Sequence, residues 1–135
     1  MEFDTKIKIV LKKNLESWQE LNVTAFLMSG IAGTQDIIGQ PYIDKDNVQY
    51  LPMSQQPIMI HTATREQMKE FLRKALTKDI AISVYTEELF KTYNDEDNRA
   101  IVAQFGTEEL NLVGIGIRGK KNQVDRLLKG FELHR

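Results

Sequence analysis

Residues 110–121 read LNLVGIGIRGKK, and the fold turns on how that stretch is understood. It contains a literal G-x-G-x-x-G at Gly114, Gly116 and Gly119. Such a fingerprint cradles a dinucleotide phosphate only as the first strand-turn-helix of a βαβ unit, with the glycines in the turn. Here Gly114 and Gly116 fall inside an apolar, β-branched run at positions of the same parity. Residues 110–117 therefore form a strand, with Gly119 expected in the turn behind it. Residues 121–129 make a helix of about two turns closed by Gly130, and FELH (131–134) a short final strand. Glycines inside a strand let another backbone or side chain approach closely. The glycines are therefore assigned to packing, and no dinucleotide or other cofactor is expected.

Upstream, IAISVY (80–85) is another strand. Thr86 with Glu87 and Glu88 behind it has the form of a helix cap with acids in the first turn. Leu89, Phe90 and Tyr93 continue a short helix, and Asp95, Glu96 and Asp97 open a further one, whose end Gly106 marks. Thr64 and Gln67 form a capping box ahead of Met68, Phe71, Leu72, Ala75 and Leu76 at helical spacing, and PIMIH (57–61) is a short apolar strand. At the start, KIKIVLK (6–12) alternates as a strand does. Ser17-Trp18-Gln19-Glu20 then has capping-box form and should begin a helix. Its Leu21, Val23, Ala25, Phe26, Leu27, Met28 and Ile31 cover most of the circumference and leave Trp18, Asn22 and Ser29 on a narrow stripe, so the helix is expected to be buried on most sides. Residues 33–56, rich in Gly, Pro, Asp, Asn and Gln, read as an irregular excursion with a hairpin around Asp46-Asn47. Alternating strands and helices make a layered α/β domain, taken as one unit over residues 1–135.

Composition narrows the function classes. The 135 residues are 41% hydrophobic and 27% charged, which suits a folded globular chain. Eighteen Lys and Arg against 19 Asp and Glu give a net charge of −1, so no global positive field draws the chain to nucleic acid. Lys12 with Lys13, and Arg118 with Lys120 and Lys121, are the only local basic groupings of note. There is no cysteine, which removes disulfides, thiolate metal sites and a cysteine nucleophile. Neither a signal peptide nor a membrane span is legible, and a cytoplasmic protein is expected.

Few side chains advertise chemistry. His61 and His134 each stand at a strand end without ligand spacing between them, so no metal site is expected. DKDN (44–47) resembles the start of an oxygen-ligand loop but lacks the glycine and glutamate of a calcium loop at the required offsets, and reads as a polar turn. Asn22 is more informative. A buried amide needs partners or costs roughly 1–3 kcal/mol, so Asn22 either ties two elements together or faces a pocket.

The segments KIVLKKNL, NVTAF, IIGQPYIDKDN, PIMI, VYTEELFKTY and LVGIGIRGKKNQVDRLLKGFELHR resemble a bacterial family known only as a domain of unknown function, itself similar to type II peptidyl-tRNA hydrolases. The likeness covers nearly the whole chain and is most specific where Gly114, Gly119, Val124, Leu128, Gly130, Leu133 and Arg135 fall. It implies a three-layer α/β/α sandwich around a mixed central sheet, with one strand antiparallel to the others. The hydrolases' Gly-Lys pair and Ala-Gln-x-x-His-Ala helix are replaced here by SWQEL and NVTAF. Their Asp-Ala-Gly-x-Thr turn is replaced by Tyr85-Thr86-Glu87-Glu88, and a later threonine by Asn111.

Ligands of open α/β sheets gather outside the carboxyl ends of the parallel strands. There the resemblance and the strand order gather Lys12, Lys13, Asn22, Thr86 and Asn111 as candidate ligand-binding residues, with Arg118 at the far end. Two lysines among neutral hydrogen-bonders suit a small polar or anionic ligand, with no nucleic acid and no membrane as partner. Catalytic residues are not identified. The alternatives are a hydrolase of an ester or acyl conjugate, and a structural homo-oligomer.

Overall fold

Lys6-Ile7-Lys8-Ile9 alternates because Ile7 and Ile9 lie on a fully buried face of the strand while Lys6 and Lys8 lie on the other face and stay partly exposed. The computed structural model describes residues 2–135. Among them the chain forms a mixed α/β fold with a five-stranded mixed sheet, a separate two-stranded ribbon and four α-helices. In chain order these are β1 (Thr5–Lys12), α1 (Ser17–Thr34), β2 (Tyr42–Ile43), β3 (Gln49–Tyr50), β4 (Ile58–Ala63), α2 (Arg65–Ala75), β5 (Ala81–Thr86), α3 (Asp95–Val102), β6 (Leu112–Lys120), α4 (Lys121–Leu127) and β7 (Glu132–Leu133). A 3₁₀ turn, Glu87–Lys91, leads from β5 toward α3.

The sheet order is β5-β6-β1-β4-β7. Strand β4 runs parallel to β1, β6 is antiparallel to both β1 and β5, and β7 is antiparallel to β4. Two strands therefore oppose the rest, where the resemblance implied one. The additional one is β7, whose two residues pair with His61 and Thr62 at the sheet's edge.

Alternation along β1 divides the core. Val10 packs with Met68, Phe71 and Leu72 of α2, Val124 of α4, and Ile115 and Ile117 of β6. Ile9 and Leu11 pack with Val23 and Leu27 of α1, and Ile7 with Ile31 of the same helix. Each such fully buried side chain contributes about 1.5–3 kcal/mol by leaving water. Helix α2 forms as its sequence indicates: Thr64 accepts from the Gln67 N–H at 3.2 Å and the Gln67 side chain accepts from the Thr64 N–H at 2.8 Å.

The glycines of β6 are packing glycines. A Cβ on Gly114 would lie 2.3 Å from Val23 Cγ1 and 2.9 Å from Leu27 Cδ1, and one on Gly116 2.6 Å from Ser83 Oγ. Strand β6 carries no larger side chain at these points because α1 lies directly against it. Gly119 is also inside β6, not in a turn as expected, and a Cβ there would meet Ile80 at 2.7 Å. The strand runs on to Lys120 because β1 continues to pair with it as far as Thr5.

Helix α1 departs from expectation in two ways. Its N-cap is Glu16, not Ser17: the Glu16 N–H donates to Gln19 Oε1 at 3.0 Å and the Glu16 carboxylate accepts from Trp18 Nε1 at 2.7 Å. Only Val23, Leu27 and Ile31 are fully buried, while Leu21 and Phe26 are 74% and 54% exposed. One face of α1 meets the sheet, and the remaining apolar residues border open surface. The 33–56 excursion forms the expected hairpin, with Asn47 at φ 67° in its turn. Asp44 Oδ1 accepts there from the N–H groups of Asp46 and Val48, which accounts for DKDN as a polar turn.

Among the described residues no helix is long and apolar enough to cross a membrane.

Candidate functional site

An aromatic concavity lies beyond the carboxyl end of β5, between the first half of α1 and the segment 87–98. Trp18, Asn22 and Phe26 recur every fourth residue and so share one face of α1. Opposite them stand Tyr85 at the end of β5, Phe90 from the 3₁₀ turn, and Tyr93 ahead of α3. The cleft measures about 470 Å³ and is also lined by Leu89, Thr92, Asn94, Asp95 and Asn98. It continues along β5 into a second hollow of about 540 Å³ that shares Phe26, Tyr85, Leu89, Asp95 and Asn98 with it.

The walls are aromatic and mutually braced. Trp18 meets Phe90 edge-on with centroids 5.6 Å apart, Phe26 meets Tyr85 at 5.9 Å, and Tyr85 meets Phe90 at 5.0 Å. Such offset and edge contacts are favoured by the ring quadrupoles and hold the side chains in place. Tyr85 is buried, and that burial raises its phenol pKa, keeping it a neutral donor. It donates to Asn22 Oδ1 at 3.1 Å. Asn22 thus makes the structural tie and also lines the cleft.

That hydrogen bond occupies the Asn22 carbonyl oxygen. The Asn98 side chain likewise contacts the Thr92 hydroxyl, which also lies 3.0 Å from the Leu89 C=O. Neither amide nitrogen has a hydrogen-bond partner among the described residues. Asn94 caps α3 by accepting from the Asp97 N–H at 2.8 Å, and Asp95 is paired with Arg99. The cleft therefore combines aromatic walls with two side-chain amides and one carboxylate, Asp95, which is paired with Arg99. It suits a flat ligand that carries hydrogen-bond acceptors and little charge.

The five residues expected to converge do not share this space. Only Asn22 lines the aromatic cleft. Thr86 is 1% exposed and closed off on the sheet. Asn111 does reach the end of β5, as the antiparallel β6 requires: its backbone C=O accepts from the Glu87 N–H at 2.9 Å. Its side chain donates to Glu88 Oε2 at 2.6 Å. Burial pushes the Glu88 carboxyl up, but the hydrogen bonds from Asn111, from backbone and from the Thr86 hydroxyl, with the charge of Arg65, outweigh it and leave the pKa below the ordinary value. Asn111 thus holds a structural carboxylate.

Lys12 and Lys13 lie elsewhere. Lys12 Nζ donates to the Lys13 C=O at 3.4 Å. Lys13 borders a wider hollow of about 810 Å³ beside β7, with Glu20, Glu132 and His134. There Lys13 is 3.4 Å from Glu132, and His134 contacts Glu20. Lys13 thus has a carboxylate partner and Lys12 a carbonyl one, and neither lines the aromatic cleft. Arg118 lies at the other end of the sheet, paired with Ala81 and donating to Gln35.

Helical spacing puts Trp18 and Asn22 on one stripe but assigns Phe26 to the core because it is apolar. It also makes Phe90 and Tyr93 helix packing residues. The usable signal was the coincidence of Trp18, Asn22 and Phe26 at one helical angle with the aromatic density of residues 85–93.

Residues 5–135 match the family model described as "Protein of unknown function (DUF2000)". The chain belongs to this family. The solved structure of a protein of unknown function from Agrobacterium tumefaciens str. C58 is 41% identical, covers 99% of this chain and 100% of its own, and superimposes with a TM-score of 0.94. No curated protein matches the chain.

Proposed function

We propose that this family member is a cytoplasmic small-ligand-binding protein of one domain, and that the cleft between α1 and residues 87–98 receives a flat, uncharged heterocycle or aromatic amide. The observation that carries the reading is the pairing of aromatic walls with the side-chain amides of Asn22 and Asn98, which both line the cleft and whose carbonyl oxygens are engaged by Tyr85 and Thr92. A flat ring gains apolar burial against Trp18 and Phe26 while its ring nitrogens or carbonyls accept from the two amides. The architecture we infer is a three-layer α/β/α sandwich similar to that of type II peptidyl-tRNA hydrolases. Support for it comes from the packing of α1 on one side of β1 and of α2 and α4 on the other.

The small polar ligand expected from the sequence is retained, and its anionic form is set aside because neither lysine lines the cleft and Lys13 is paired with Glu132. Thermal shift decides the matter, since a ligand that binds only the folded state raises stability by mass action. Nicotinamide, uracil and adenine are the probes, with phosphate and acetate as the anion controls. The expected result is a concentration-dependent rise with at least one heterocycle and none with either anion. In Asn22→Ala the affinity should fall roughly fivefold, the worth of one net hydrogen bond. A rise with the anions alone would overturn the reading.

A further inference from the structure

Lys6 and Lys8 lie two residues apart on β1 and so stand on the same side of the sheet. It is the side on which Val10 packs with residues of α2 and α4. Lys8 is directly opposite Ile117 of β6 and Met59 of β4, which puts its aliphatic stem beside apolar neighbours at the margin of that core. A cavity of about 490 Å³ opens there, lined by Lys6, Lys8 and Lys121 together with Phe3, Pro57 and Met59. None of its residues lines the aromatic cleft.

The three lysines are not equivalent. Lys6 Nζ donates to Asp125 Oδ1 at 2.7 Å, which holds it as an ammonium. Lys121 opens α4 and is exposed. Lys8 is partly buried and has neither a hydrogen-bond nor an ion-pair partner among the described residues. Burial first, and then the Lys6 ammonium, lower its pKa against a smaller opposing pull from Asp125. A lowered amine pKa means a larger share of the neutral amine, and only that form is a nucleophile. A lysine set in a partly apolar hollow beside a second cation is activated in this way.

We propose that Lys8 is a reactive amine at this cavity and forms a reversible imine with a small uncharged aldehyde that carries an apolar chain. The Nζ lone pair adds to the carbonyl carbon, a C–N bond forms and the C=O π bond breaks. The C–O bond of the resulting carbinolamine then breaks, and the oxygen leaves as water with the two hydrogens that the amine has given up. Amine and aldehyde thus give imine and water, with no oxidant or reductant required. The apolar chain is received by Phe3, Pro57 and Met59, the last of which is 41% exposed without a ligand. An uncharged aldehyde fits the local charges, since Asp125 already engages Lys6 and the exposed Glu2 also borders the cavity.

Reductive trapping on the full chain tests this. The protein is mixed with butanal and cyanoborohydride near neutral pH, and the alkylated lysines are mapped by digestion and mass spectrometry over time. Lys8 should be modified ahead of every other lysine despite its partial burial, and its lead should shrink with formaldehyde, whose single carbon leaves the apolar lining unused. Lys6→Gln removes the neighbouring ammonium and frees Asp125, so it should slow the modification of Lys8 and leave the rates at distant lysines such as Lys45 unchanged. Modification spread evenly over the lysines or led by another of them would overturn the proposal. So would an equal lead with both aldehydes, or a Lys8 rate that is unchanged in Lys6→Gln. The parent chain alone decides the first point, so the proposal stays testable if the variant fails to fold. Neither result bears on the aromatic cleft, which lies on other residues.

Discussion

Replacing Gly114 by alanine sets two effects of opposite sign against each other. Gly114 has no positive φ. With no backbone strain to add, a Gly→Ala change at such a position ordinarily stabilises by about 0.4–1 kcal/mol through the unfolded chain. Packing opposes this. The new methyl would stand 2.3 Å from Val23 Cγ1 and 2.9 Å from Leu27 Cδ1, both on α1 and both buried. Neither neighbour can turn away without leaving the core, so α1 must shift from β6. Overpacking of this kind costs about 1–3 kcal/mol and outweighs the backbone gain. With an unfolding entropy of about 2.1 cal/mol/K per residue, that cost corresponds to a fall in Tm of about 4–10 °C for a chain of this length. Gly116→Ala should be milder, because its nearest neighbour is the Ser83 hydroxyl at 2.6 Å, which can rotate at the expense of its bond to the Leu27 C=O. The assay is thermal and urea unfolding of both variants and of Gly114→Ala combined with Val23→Ala. The double change should be less destabilising than the sum of its parts, by the coupling of about 0.5–3 kcal/mol seen between touching residues. A raised Tm for Gly114→Ala, or strict additivity with Val23→Ala, would refute the packing argument.

Two further outcomes follow from the core and the charge distribution. His61 is 7% exposed, and burial first, then the neighbouring Lys8 ammonium, lowers its pKa below 6.5, against a smaller opposing effect from the Phe131 and Glu132 backbone. Below that value the unfolded chain binds a proton that the native chain resists, so stability is full above about pH 6.5 and declines as pH falls toward the native pKa. His61→Phe should flatten this dependence between pH 7.5 and 5.5, and equal pH slopes for parent and variant would count against it. Peptidyl-tRNA should not be turned over at a rate comparable with a type II hydrolase at low salt, since 18 cations are offset by 19 acids and a tRNA footprint needs many cations on one face. Comparable turnover that is lost in Thr86→Val or Asn111→Ala would contradict a purely structural role for those two residues.

The parts of the fold that were legible in the sequence are those governed by local pattern. The alternation of β1, the capping box of α2, the polar turn at Asp44 and the strand character of Gly114 and Gly116 each follow from residue type and spacing. What stayed hidden depends on partners distant in the chain. Apolarity alone does not reveal which side of α1 meets the sheet, so Leu21 and Phe26 read as core although they border open surface. Gly119 reads as a turn until β1 is known to pair with it. Two residues of β7 carry no signal for pairing with β4. For the site, strand order correctly brought Asn111 to the end of β5, but it could not show that Glu88 would occupy the Asn111 amide or that Glu132 would pair with Lys13. Those contacts depend on side-chain direction, which spacing along the chain does not record.

Trp18 is the chain's single tryptophan and stands on the wall of the proposed binding cleft. Its fluorescence is therefore a probe at the site itself, and its titration with nicotinamide, uracil and adenine is the most direct test of the ligand-binding claim. The account predicts a saturable change with at least one of these rings, shifted to higher concentration in both Asn22→Ala and Asn98→Ala. No saturable change with any of them, or a change of undiminished affinity in both variants, would contradict it.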